Sequence, residues 1–370
     1  MLDHRFTGPG FTVGIEEELM LLDGETLDLA QAIETILGAV PAGLEGQVKP
    51  ELMQSFLEIA TKPHPSVPSA GEELRALRRA LTETAERHGL LVGGAATHPF
   101  ALWEDQEIVQ RPRYLQIVEE FQYVVRQFLI FGTHVHVGIG DPERAIFVAD
   151  GIRRYLPLML ALSTNSPFLR GRRTGMMSSR TPVYRALPRA GIPPHFGSWE
   201  TYSQRVEVMM RAGAIEDYTF LWWDVRPHPR LGTVEVRVFD QQTRVDLTIA
   251  LAALVVSIAH QVSALYDDGL ELTEYPTELV DDNKVRAAIQ GTDGVLLDFW
   301  AGEQVPAERF ARGLLRVLAE HAQELGCERE LEGVREVLEG NTGAHRQLRL
   351  YERDSDLKAL VRNIVEASRA

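Results

Sequence analysis

Apolar positions in the first part of the chain follow two different periods. In FTVGIEEELMLLD, from Phe11 to Asp23, they alternate, so the segment predicts a strand. Side chains of an extended chain point to opposite faces in turn. Val13, Ile15, Leu19 and Leu21 therefore share one face with Glu17, while Glu16, Glu18 and Met20 share the other. Further strands are predicted over Ser55–Thr61, Leu91–Ala95, Gly132–Gly140 and Thr233–Asp240. The helical period predicts helices near Leu29–Leu37, over Ser69–His88 with Ser69 as N-cap and Glu72 closing a capping box, and over Tyr114–Phe128. It also predicts one over Glu143–Leu162, kinked or broken at Pro157. Ser163–Ser198, with five prolines, is expected to be a long functional loop. From Asp246 onward the pattern is helical throughout. Strands first and helices last predict an α+β fold with a mostly antiparallel sheet, not a doubly wound one.

Three of these strands carry polar residues on a single face. GTHVHVGI sets His134 and His136 opposite Val135 and Val137, and GTVEVRVFD sets Glu235 and Arg237 opposite Val234, Val236 and Val238. PELMQSFLEIAT adds Glu58 among apolar neighbours, with Glu51 near its start. Taken singly, His-x-His or Glu-x-Arg on a strand is ordinary structure, and the three glutamates of the first strand suit a solvated face. In one sheet they form a carboxylate-rich cluster with imidazole and arginine. Such a cluster suits hard cations such as Mg²⁺ or Mn²⁺ and, through them, phosphates. There is no P-loop and no dinucleotide fingerprint, so a bound nucleotide must be held by metals and arginines.

The composition is that of a globular protein, 45% hydrophobic and 25% charged over 370 residues. A net charge of −15 disfavours a nucleic-acid partner. Within that acidic balance, the span between Asp150 and Glu200 has no acidic residue and eight arginines, an island suited to an anionic substrate. Arginine is the default cation here, with 34 against four lysines, so about two of the eight are expected at a ligand. The single cysteine, Cys327, excludes a disulfide framework or a cysteine-based zinc site. MLDHRFTGPG has no signal-peptide character, and Leu247–Ala259 is too short to span a membrane. A soluble, cytoplasmic protein is expected.

The blocks GIEEELMLLD, ELMQSFLEIAT, GTHVHVGI, NSPFLRGRRTG, WDVRPHPRLGTVEVRVFD and GNTGAHRQ together resemble the bacterial carboxylate–amine ligases, glutamate–cysteine ligase type 2. The resemblance runs from about Phe11 to about Gln347 and implies a glutamine synthetase-like fold. That fold is a curved, mostly antiparallel sheet forming a funnel, with helices on its outer face. Residues 1–370 would be one catalytic domain, sheet-bearing over 1–245 and helical over 246–370. The resemblance implies an ATP-dependent ligase that makes an amide or γ-glutamyl bond through an acyl phosphate, with Mg²⁺ or Mn²⁺ as cofactor. It places the metal on Glu16, Glu18, Glu58, His134 and Glu235, with His136 as a further candidate. Arg237 takes the phosphate-contacting role, and Arg180 in MSSR and Arg226 in DVRP face substrate or ATP. Glu17 is then a structural bystander, in a partly buried ion pair or at an exposed edge. The expected substrates are glutamate, or a similar carboxylate, and an amine such as cysteine; a homodimer follows by analogy. The rival reading is a divalent-metal-dependent amidohydrolase, which would need a parallel barrel. His98 in THPF, Asn341–Gly343 and the pair Trp222–Trp223 have structural explanations of equal weight: a satisfied loop histidine, a helix cap, and core or rim.

Overall fold

The computed structural model describes residues 1–369. Its main sheet has seven strands: β1 (Val13–Asp23), β2 (Val48–Pro50), β3 (Phe56–Ala60), β4 (Leu90–Gly93), β5 (Gly132–Gly138), β6 (Val225–His228) and β7 (Thr233–Asp240). The spatial order is β6-β7-β5-β1-β3-β2, with β4 also paired to β1, and every pairing is antiparallel. A bulge between Val236 and Phe239 interrupts the β7–β5 ladder and bends β7.

One face of the sheet is the core. Val13, Ile15, Leu19 and Leu21 are all essentially inaccessible. They pack with Val135, Val137, Val234 and Val236 under helices α1 (Val67–Arg87), α2 (Pro142–Ile152), α3 (Leu156–Ser163) and α4 (Val245–Asp267). The glutamate expected on that face is there too. Glu17 is fully buried, and both of its oxygens meet Arg78 of α1 at 2.6 Å, with Thr248 of α4 and Gln241 also donating. Arg78 in turn donates to the carbonyls of Gln242 and Thr243. So Glu17 belongs to a fully buried ion pair, not a partly buried or edge one.

Several element boundaries differ from the sequence reading, each for a local reason. The N-cap of α1 is Ser66, not Ser69: Pro68 fits the first turn, and the extended Ser66 accepts from the Ser69 amide. The first helix is shifted to Ile33–Ala39. The helix expected over Tyr114–Phe128 is two pieces, Pro112–Phe121 and Tyr123–Arg126, broken where Gln122 takes φ +48°. The break expected near Pro157 is present, with a 3₁₀ turn at Arg153–Tyr155 and the proline in the first turn of α3. The long loop contains a short helix, Arg180–Arg185, and a two-stranded ribbon, Phe168–Leu169 with Arg172–Arg173. Beyond α4 the chain is not purely helical. Between helices α5 (Thr277–Gln290) and α6 (Ala307–Glu324) lies a hairpin, Val295–Asp298 with Glu303–Pro306, whose turn is held by Asp298. The apolar segment around Leu247–Ala259 extends to 23 residues, long enough to cross a membrane, so length was the wrong ground for excluding a span. Its most apolar stretch is 83% buried inside the protein, as expected of a core helix.

His98 shows burial deciding a histidine's charge. It is 1% exposed, lies 3.0 Å from the Leu27 carbonyl through Nε2, and accepts at Nδ1 from the Ala101 amide. A neutral ring satisfies both contacts, and burial pushes its pKa down from 6.5 to about 4. The unfolded chain, with the ordinary value, binds a proton that the folded chain excludes between those limits. This contribution, about 3 kcal/mol, is therefore complete above pH 6.5 and is lost as pH falls toward 4. Urea unfolding across that window should show the loss, and His98→Gln should flatten it. An unchanged slope in the variant would disprove the assignment.

Candidate active site

The other face of the sheet is the floor of a cavity of about 320 Å³. The register lays its polar residues in rows. Glu16 lies opposite His134, Glu18 opposite Glu58, and Glu58 opposite Lys49 of β2. Glu235 lies between His136 and Arg226. Like charges set directly across an antiparallel pair, as in Glu18–Glu58, disfavour the sheet. Lys49 offsets part of that cost through a 2.8 Å ion pair with Glu58.

Two groups of potential ligand atoms converge on this floor: Glu16, Glu58 and His134, and Glu16, His136 and Glu235. Glu16 belongs to both. His134 Nδ1 is 3.1 Å from Glu16, and its Nε2 is 3.7 Å from Glu18, which also accepts from the Gly132 amide. His136 Nδ1 bonds Thr233, whereas its Nε2 is buried with no hydrogen-bond partner, 3.6 Å from Glu16 and 3.9 Å from Glu235.

The charges on this floor are strongly perturbed. Burial, then repulsion from Glu16, raises Glu58 to about 7 against the pull of Lys49. Burial and Glu58 likewise hold Glu51 well above the usual range. Burial opposes ionisation of Glu16, but His136 and His134 outweigh it and keep its carboxyl well below that range. Glu235 is also held low despite burial, by Arg226 and Arg237. Burial and Arg237 lower His134, while burial of His136 is outweighed by Glu235 and Glu16, which raise it. These opposed shifts within one cavity mark a site built for chemistry.

The arginines differ in how free they are. Arg237 contacts Glu235 and lies 3.3 Å from His134 Nδ1, and its Nε has no partner. Arg226 is the most engaged: Nε and Nη2 bond the two Glu235 oxygens at 2.6 and 3.3 Å, and Nη1 donates to the carbonyls of Thr219 and Leu221. Arg180 lines the cavity, stacked 4.9 Å from the Tyr184 ring, with Nη groups on the Val238 and Arg237 carbonyls and Nε unpartnered. Its loop is pegged by Asp240, which accepts from the Ser166 and Ser178 hydroxyls, while Ser166 accepts from the Arg180 amide. A Cβ on Gly132 would lie 2.6 Å from Arg180 Nη2, so glycine leaves this guanidinium its place.

Of the eight arginines in the cationic span, only Arg180 lines the cavity, fewer than the two expected. Arg170, Arg173, Arg185 and Arg189 pair with Glu104, Glu352, Asp281 and Glu120 elsewhere. Sequence reasoning gave no role to Lys49, Tyr114 or Tyr184, all of which line the cavity, and mentioned Glu51 only by its position. Glu51 had a signal, a lone acid at the mouth of an apolar strand. Trp222 lines the cavity, whereas Thr342 caps the helix Gly343–Asp354, and His98 is the satisfied loop histidine.

The profile of the glutamate–cysteine ligase family 2 (GCS2) matches residues 12–363. A Rubrobacter xylanophilus protein is 40% identical over 368 residues, covering 100% of this chain and 97% of its own. A Sorangium cellulosum protein is 42% identical over 360 residues, covering 97% and 96%. Both bear the name "Putative glutamate–cysteine ligase 2" or a numbered form of it. Among solved structures, the Francisella tularensis glutamate–cysteine ligase in complex with AMP superposes with TM-score 0.71 at 14% identity, over 99% of this chain and 90% of that one. A bifunctional glutathione synthetase from Pasteurella multocida gives 0.69 at 15%, over 97% and 53%. These folds carry the α+β, glutamine synthetase-like architecture, and neither the antiparallel sheet nor these relatives support the amidohydrolase reading. By sequence and by fold, the chain belongs to the glutamate–cysteine ligase family 2.

Proposed function

We propose that this chain, an ATP-dependent carboxylate–amine ligase, joins the side-chain carboxylate of glutamate, or a close analogue, to a small amine such as cysteine. The observation that carries the reading is the single cavity floor on which Glu16, Glu18, Glu58, His134 and Glu235 meet beside Arg237. A carboxylate is a poor electrophile toward an amine. Transfer of the γ-phosphoryl group of ATP to it gives an acyl phosphate, and the amine then displaces phosphate to form the amide.

The floor fits divalent cations. Its donors are mostly hard oxygens, and the buried, unpartnered Nε2 of His136 points between two carboxylates. Glu16, Glu18, Glu58, His134 and Glu235 would hold Mg²⁺ or Mn²⁺, with His136 added to the set. A divalent cation held by these residues would supply charge neutralisation to the phosphates of ATP. Arg237, tethered through Nη1 to Glu235, lines the cavity and would bring its guanidinium to a phosphoryl oxygen there. Arg226 fixes the Glu235 carboxylate and keeps one Nη2 hydrogen toward the cavity it lines; Arg180 lines the same cavity, and both would face substrate or ATP. Cys327 plays no part: it is buried, and its thiol is pushed up to about 11.

Residues 1–370 act as one catalytic unit in this proposal. Lys284 of α5 pairs with buried Asp224 before β6, and Gln347 donates to both oxygens of Asn165 in the Arg180 loop. A cytoplasmic setting agrees with the ATP requirement, and a homodimer with the family analogy.

The test is release of ADP and phosphate with glutamate and a panel of amines. Turnover should need both substrates and a divalent cation, and should vanish in EDTA. Hydrolysis of an amide without ATP would overturn the reading. A second prediction isolates Arg237. Lysine in its place keeps the charge but loses the fork, so Arg237→Lys should bind Mg–ATP nearly as wild type while kcat falls by about 10- to 100-fold. Calorimetry beside phosphate release checks it, and unchanged kcat would make Arg237 a mere partner of Glu235.

A further inference from the structure

A second group of metal-ligating side chains lies outside the cavity. His260 of α4 faces His321 of α6, their Nδ1 atoms 3.0 Å apart, and His260 Nε2 is 3.6 Å from Glu324. One donor atom from each of the three lies within 4.8 Å of the other two. His321 and Glu324 are one helical turn apart, so α6 presents them side by side. The Phe11 ring stacks 4.7 Å from His260, at the entry to β1. His260 and His321 are half-buried and Glu324 is exposed, so the group is open to ions in solution.

Two neutral imidazoles meeting Nδ1 to Nδ1 can share one hydrogen, and that hydrogen occupies the place a metal ion would take. Around tetrahedral zinc, with Zn–N of about 2.0–2.1 Å, ligand atoms stand roughly 3.4 Å apart. The pair needs to open by only a few tenths of an ångström. The exposed Glu324 carboxylate can swing to complete three ligands, with water as the fourth. Two nitrogens and one oxygen suit a borderline metal, whereas the oxygen-rich cavity floor suits Mg²⁺.

We propose that His260, His321 and Glu324 form a zinc-class metal site, independent of the catalytic cations, that clips α6 to the buried helix α4. Zn²⁺ is the expected occupant, and Co²⁺ is its spectroscopic stand-in.

The test uses metal-free full-length protein in excess Mg²⁺, titrated with Zn²⁺ by equilibrium dialysis and with Co²⁺ by visible absorption. Wild type should take up one equivalent that Mg²⁺ does not displace, with the intense d–d bands of a four-coordinate ion. Glu324→Gln should bind it at least about tenfold more weakly, and His321→Gln should lose it, with ligase activity in Mg²⁺ unchanged in both. Glu16→Gln should keep it, which separates this site from the cavity floor. Equal uptake by wild type and the Glu324 and His321 variants, or no uptake at all, overturns the proposal. Should His321→Gln fail to fold, Glu324→Gln decides alone, because its side chain is 58% exposed.

Discussion

Glu16→Gln is expected to abolish ligation, lowering kcat by more than about 10³-fold, while leaving the fold intact. Glu16 is the one carboxylate common to both converging ligand groups on the cavity floor. Loss of a group that merely orients a ligand costs about 10–100-fold in metal affinity or activity. Here a ligand is lost from two groups at once, so the costs compound. Glutamine keeps the shape, and His136 retains Glu235 at 3.9 Å as its counter-charge, so the buried imidazole is not stranded. Mn²⁺ binding followed by electron paramagnetic resonance, beside phosphate release, gives the answer. Wild-type Mn²⁺ affinity in Glu16→Gln would remove the cation from this floor altogether.

The neighbouring substitution should do the reverse. Glu17→Gln leaves Arg78 charged and fully buried without its counter-ion. Removing one partner of such a pair costs about 3–5 kcal/mol, much of the roughly 5–15 kcal/mol that keeps a protein folded. The urea midpoint should therefore fall sharply. The Mg²⁺ concentration for half-maximal activity should not move, because Glu17 points to the core and not the cavity. Replacing both residues by apolar ones of similar volume should recover part of the loss. A metal defect in Glu17→Gln as deep as that in Glu16→Gln would mean that β1 presents the other face to the site.

The contrast between these neighbours was legible in the sequence, because alternation along β1, β5 and β7 fixes which side chains share a face. What alternation does not encode is which residues stand opposite one another. The pairing of Glu16 with His134, and of Glu235 with His136 and Arg226, comes from register. Alternation already put His136 on the polar face, but its nearness to Glu235 and the ion pair between Arg226 and Glu235 were for that reason not readable. Lys49 and Arg226 lie on strands of three and four residues, too short to show any period. The hairpin after α5 escaped for the same reason, its strands having four residues each. Ser69 with Glu72 three residues on fits a capping box, but Pro68 belongs in the first helical turn and moves the cap back to Ser66. The cationic span misled through its charge: half of its arginines answer glutamates and aspartates far along the chain, and a sequence does not display those partners.

The arrangement of one inward and two outward glutamates along β1 also polices strand alignment, because Arg78 is the partner of only one of them. β1 is hydrogen-bonded along both edges, so a slip of one residue would exchange its faces completely. Glu16 and Glu18 would both turn to the core face: one would meet Arg78 in place of Glu17, but the other would be buried in the apolar layer without a partner, and an aliphatic side chain would face the cavity. The misaligned chain is thus rejected by the core and by the floor of the cavity together, leaving a wide gap between the native pairing and its nearest competitor. Insertions and deletions in this protein should accordingly be confined to its loops, with β1 admitting changes of residue far more readily than changes of length.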